Sequence, residues 1–101
     1  KLKKSSLPAV FHRVMPHISG FSTEFYRFYF ESFGKTPFMS NRAGVFKHLW
    51  VECGVLKVYL GYEEITVNTG QMVRFAASSP HRFECTQGVL ARGVFFVEKG
   101  S

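Results

Sequence analysis

In "GQMVRFAASSPHRFEC", residues 70–85, a turn glycine, a short apolar run and a small-residue corner closed by Pro80 lead into His81, which heads a second run. Side chains alternate along an extended strand, so His81, Phe83 and Cys85 would share one face. A histidine placed this way is a candidate metal ligand, proton acceptor or polar contact in a pocket. Its possible partners are thinly spread. His12 and His17 flank an early segment, "AVFHRVMPH", and His48 stands beside Trp50. Cys53 and Cys85 form no C-x-x-C pair and no zinc-ligand spacing, which predicts two reduced thiols. Glu63 and Glu64 sit beside a hairpin turn, where carboxylates are solvated, and their spacing makes no acid/base pair. No glycine-rich phosphate loop and no activated nucleophile accompany them.

The chain that must position these residues has 101 residues, 46% hydrophobic and 17% aromatic, enough for one small domain with a core that needs no external staple. No apolar stretch approaches the roughly 20 residues of a membrane helix, and "KLKKSSLPAVFHR" lacks the apolar centre of a signal peptide. The expectation is a cytosolic, non-membrane protein. The net charge of +6 is scattered apart from Lys1, Lys3 and Lys4. Residues 1–8 read as a linker or tail, and residues 9–101 as the folded domain.

Glycine, asparagine, serine and proline punctuate the chain at short intervals, and the runs between them are rich in Val, Phe, Tyr, Leu and Ile. That pattern predicts an all-β domain, a sandwich or jelly-roll barrel. In "FSTEFYRFYFESF", residues 21–33, aromatic residues occupy both parities, which predicts a strand buried on both sides, against the core and against another sheet or subunit. A homodimer follows as an expectation. "VFKHLWVECGVLKVYLGYEEITVNTGQMVRF" reads as three strands joined by tight glycine turns, with Leu56, Val58 and Leu60 on one face and Ile65 and Val67 on the matching face of the next strand. Met72 and Arg74 fall on the outer parity, as do Arg82 and Glu84. A sandwich of this kind offers no groove-reading helix, so selective DNA contact by this domain is not expected.

The cadence of Gly54, Leu56, Val58, Val67, Gly70, Gln71, Phe75, Pro80 and His81 resembles that of the cupin superfamily over residues 21–98. More narrowly, "TGQMVRFAASSPHRF" is similar to the cupin domain of Xre-type helix-turn-helix regulators. The resemblance implies a cupin jelly-roll (double-stranded β-helix) barrel. It also implies the sensory half of a regulator, reaching DNA only through an N-terminal domain that this chain does not contain.

Metal-binding cupins bring histidines and a glutamate from a first motif and one histidine from a second. On that pattern His81 is the second-motif histidine, Lys47 occupies the glutamate position, and Ser40, Asn41 and Arg42 occupy the first-motif histidine positions. A protonated lysine is no ligand and repels a divalent ion beside His81, which predicts no metal and no other cofactor. His48, one residue further, points to the opposite face of the strand. The expected site is a ligand pocket formed by His81, Lys47, Asn41, Phe83 and Cys85, with two polar donors in an apolar setting that suits a small anionic effector. The leading reading is a small-molecule-sensing, non-enzymatic, dimeric domain. The alternative is a stand-alone cupin enzyme, of isomerase or dioxygenase type, with His81 as general base and Lys47 as its electrophilic partner.

Overall fold

One 16-residue strand organises the molecule. In the computed structural model, which describes residues 9–13, 23–86 and 90–99, the strands are β1 (Ala9–Arg13), β2 (Thr23–Phe30), β3 (Val45–Leu60), β4 (Glu63–Asn68), β5 (Met72–Ala76), β6 (His81–Cys85) and β7 (Ala91–Lys99). The proposed linker, residues 1–8, and His17 lie outside the described residues. None of the described residues is helical.

All pairings are antiparallel. The first half of β3 lies between β7 and β5, giving a sheet of order β1-β2-β7-β3-β5. Its second half lies between β4 and β6 in the other sheet. The long strand thus belongs to both walls of the barrel and must change face between them. It does so at a bulge: Val51 pairs with Gly93 and Cys53 with Arg92, leaving Glu52 as the extra residue. Before the bulge the buried residues are odd-numbered, Val45, Lys47, Leu49 and Val51; after it they are Leu56 and Val58.

Gly54 lies inside β3 and is not one of the turns between strands. Gly54 has φ +96°, and a side chain there would collide with the carbonyl oxygen of Leu90 on the approach to β7. Glycine permits both the conformation and the close approach. The hairpin turns at Gly61 and Gly70 do fall where the sequence places them.

The inward faces supply a core that includes Phe28, Phe30, Leu49, Val51, Leu56, Val58, Val67, Phe75, Phe83, Cys85 and Phe95. Its aromatic centre spans the two walls: Phe83 of β6 meets Phe95 of β7 edge-on at 5.5 Å, and Phe11 of β1 meets Phe95 at 5.3 Å. Burying a side chain of this size contributes roughly 1.5–3 kcal/mol. In β2 one aromatic parity is buried and the other faces outward, so burial on both sides is not seen within the described residues. Phe28 and Phe30 are buried, while Phe25 packs on Phe96 at 5.1 Å and Tyr29 is exposed.

Between β2 and β3, residues 31–44 run along the free side of β6. The backbone of Met39 exchanges hydrogen bonds with that of His81 (2.9 Å each way), Thr36 N–H donates to Phe83 O (3.0 Å) and Cys85 N–H donates to Gly34 O (2.7 Å). These bonds satisfy the outer edge of β6 without a regular strand. They also bring Thr36, Met39 and Asn41 to the mouth of the barrel.

Candidate functional site

Lys47 and His81 arrive from opposite walls. Lys47 lies on β3 between Phe75 of β5 and Val97 of β7. His81 opens β6, opposite Leu60, with its ring 5.2 Å from that of Phe75. Lys47 is 4% exposed and His81 is fully buried, the two buried polar side chains among the described residues.

Lys47 Nζ lies 2.8 Å from His81 Nε2, and His81 Nδ1 lies 2.8 Å from the carbonyl oxygen of Ser79. A carbonyl only accepts, so Nδ1 carries the proton and Nε2 accepts from Lys47; this assigns the neutral Nδ1–H tautomer. Burial pushes the His81 imidazole below its ordinary range, and the charge of Lys47 acts the same way against the raising effect of the Ser79 carbonyl. Burial lowers Lys47 from 10.5 to about 8. Nζ also contacts Met39 Sδ at 3.5 Å and lies 5.8 Å from the centre of the Phe95 ring. Among the described residues it makes no ion pair with a carboxylate.

The lysine head borders a cavity of about 320 Å³. Phe11, Phe83, Phe95 and Val97 form its apolar lining, and Asn41 and Thr36 add polar groups from the 31–44 segment. At its far side Lys99 Nζ pairs with Glu24 Oε2 (2.7 Å), and Tyr26 Oη donates to Glu24 Oε1 (2.9 Å). Asn41 Oδ1 is buried without a hydrogen-bond partner, an unsatisfied acceptor in a residue that lines the cavity.

Three of the five residues expected to form the pocket, Lys47, Asn41 and Phe83, border this cavity together. His81 does not border it. Its two ring nitrogens are engaged, and it reaches the cavity only through Lys47. Cys85 is fully buried behind Phe83 in β6 and is not in the lining, and burial raises its thiol pKa. The geometry therefore offers no direct contact between His81 and a substrate of the kind the isomerase reading requires.

Thr36, Met39, Glu24, Tyr26 and Lys99 were not foreseen. The first two sit on an irregular segment with no periodicity to reveal their direction. The other three lie on strands whose neighbours only the topology supplies.

The donor set does not fit a divalent metal. The His81 nitrogen that would ligate is occupied by an ammonium, and no group of three or more His, Cys, Asp or Glu side chains among the described residues is arranged to hold one.

The barrel is a cupin jelly roll. Its fold matches the Cupin_2 domain of an XRE-family transcriptional regulator from Enterobacter cloacae, with a TM-score of 0.86 and 19% identity over 93% of this chain and 99% of that one. It matches an HTH_3-family transcriptional regulator from Vibrio cholerae with a TM-score of 0.82 and 20% identity, over 94% of this chain and 53% of that one. It also matches an oxalate oxidase in complex with the substrate analogue glycolate, with a TM-score of 0.77 and 15% identity, over 94% of this chain and 53% of that one.

The third similarity corrects the expectation of a non-enzymatic domain, because the same barrel carries an oxidase and so does not set catalysis aside. No family model matches the chain, and no curated protein matches it by sequence. No helix among the described residues is long and apolar enough to cross a membrane.

Proposed function

We propose that this domain binds a small organic anion in the cavity beside Lys47 and serves as the ligand-responsive part of a dimeric transcriptional regulator. The observation that carries the reading is the Lys47 ammonium, buried at the edge of an apolar cavity with an imidazole behind it and no carboxylate partner among the described residues. An uncompensated buried charge is costly, and a ligand carboxylate would provide both the missing countercharge and a charge-assisted hydrogen bond. The phenylalanine lining suits an aromatic or branched aliphatic body, and a cavity of about 320 Å³ lies at the lower end of small-molecule sites. The likeness to the two regulators supports the second half of the reading. There, occupancy would act by favouring one of two arrangements of the attached domains.

Calorimetric titration with benzoate and isovalerate tests the first half. Binding is expected for the chain as it stands and is expected to weaken about tenfold to a hundredfold in Lys47→Ala, the equivalent of one charge-assisted hydrogen bond. Specific binding indifferent to Lys47→Ala would remove Lys47 from the site. Sedimentation with and without the bound anion tests the dimer.

A further inference from the structure

We propose that Lys47 also captures small aldehydes covalently, as an aldimine formed inside the cavity, with His81 taking the proton that frees the amine. The proposal rests on the reading of the cavity as a ligand site and adds a second ligand class to it.

The geometry differs from that of Lys57 and Lys99. Lys57 holds Glu64 at 2.9 Å and Lys99 holds Glu24 at 2.7 Å, so a carboxylate stabilises each ammonium. Lys47 instead has at 2.8 Å a nitrogen base, His81 Nε2, whose lone pair faces it because the ring proton is committed to Ser79. It borders an apolar space large enough for a substituted aldehyde. The downward displacement of the Lys47 pKa by burial supports the same assignment.

The ammonium of Lys47 passes one proton to His81 Nε2, giving an amine and an imidazolium. The amine lone pair attacks the aldehyde carbon. A C–N bond forms, the carbonyl π pair moves to oxygen, and a proton shifts from nitrogen to that oxygen to give the carbinolamine. The imidazolium returns its proton across the same 2.8 Å contact to the carbinolamine nitrogen, which relays a proton to the hydroxyl; the C–O bond breaks to release water, and the nitrogen lone pair closes the C=N bond. The sum is ammonium plus aldehyde giving protonated aldimine plus water, with His81 restored to neutrality and no oxidant or reductant consumed.

Benzaldehyde with cyanoborohydride tests the step, since hydride from the reagent converts the aldimine to a stable N-benzyl amine that peptide mapping can place. Lys47 is expected to label faster than Lys35, Lys57 and Lys99, with benzoate slowing it. His81→Gln, folded by circular dichroism, should slow the Lys47 adduct about a hundredfold, as loss of a positioned proton acceptor does. Labelling of Lys47 no faster than the exposed lysines overturns the proposal and needs no variant to be read. Benzoate binding that depends on Lys47, without preferential labelling, defeats the capture step alone. Absence of both defeats the site reading as well.

Discussion

Lys47 and His48 are neighbours on β3, and each forms a contact with a partner from another strand, but on opposite faces of the sheet. Inside the barrel an ammonium meets an imidazole with no countercharge among the described residues. Outside, His48 Nε2–H donates to Glu98 Oε1 at 3.0 Å, its ring stacks on Phe96 at 4.1 Å, and Arg74 approaches the same carboxylate at 3.7 Å. The outer contact joins complementary groups in water, where screening makes it dispensable. The inner one is a hydrogen bond from an ammonium to a neutral imidazole in a buried site, so it persists because the barrel fixes both groups and keeps the imidazole neutral. Burial of a titratable pair in this way is characteristic of binding and catalytic sites.

The largest expected effect comes from removing the inner partner. His81→Ala empties the volume of a fully buried ring and leaves the Lys47 ammonium without its nitrogen acceptor. The combined cost is about 4 kcal/mol, a large share of the stability of a small domain. Urea denaturation should show it directly, with His48→Ala shifting the midpoint far less. Equal shifts for the two variants would mean that the inner contact contributes no more than the outer one.

The next effect is a pH dependence that belongs to the inner site. Lys47 falls from 10.5 to about 8 on folding, so between those values the unfolded chain binds more protons than the folded one. The contribution of this group to stability therefore rises with pH through that window, and the full cost of the buried charge is present below about pH 8. Relative to Lys47→Met, the unaltered chain should gain about 3 kcal/mol between pH 7 and pH 10.5. Denaturation curves for both proteins across that range measure the difference, in which the other titrating groups cancel. A constant difference would place the Lys47 head in solvent.

The inner pair was largely legible in the sequence and the outer one only half so. His81 announced itself through the Gly70 to His81 spacing, and Lys47 through its place in the cupin cadence, although their direct contact could not be read from residues 34 apart. His48 was expected on the opposite face, but its partner Glu98 depends on the register of β3 with β7. The glycine at position 54 illustrates the limit: composition marks a special backbone position there, but a bulge within a strand and a turn between strands use the same residue for the same reason. The 31–44 segment was read for the ligand positions it had lost and for Asn41 as one pocket residue. Its role as a cavity wall comes from backbone hydrogen bonds to β6, which leave no periodic trace in its side chains.

The smallest expected effect tests the outer pair. The hydrogen bond from His48 is the main reason the Glu98 carboxyl lies below its ordinary value, with the nearby charges of Arg74 and His48 acting in the same direction against partial desolvation. A lowered carboxylate pKa contributes stability that is present above the ordinary carboxyl range and is lost as pH falls through the lowered value. In His48→Ala the Glu98 carboxyl should therefore titrate higher, followed by carboxyl-carbon NMR, with a smaller rise in Arg74→Ala. Raising the salt to 1 M, where the screening length is about 3 Å, should screen the smaller charge contributions and so produce a lesser rise without any mutation. An inner site defined by desolvation should respond little to that salt, so adding it separates the two contacts made by neighbouring residues of one strand. If the Glu98 titration ignores both the mutation and the salt, the outer contact is not formed in solution, and the contrast reduces to a buried pair beside two independent surface groups.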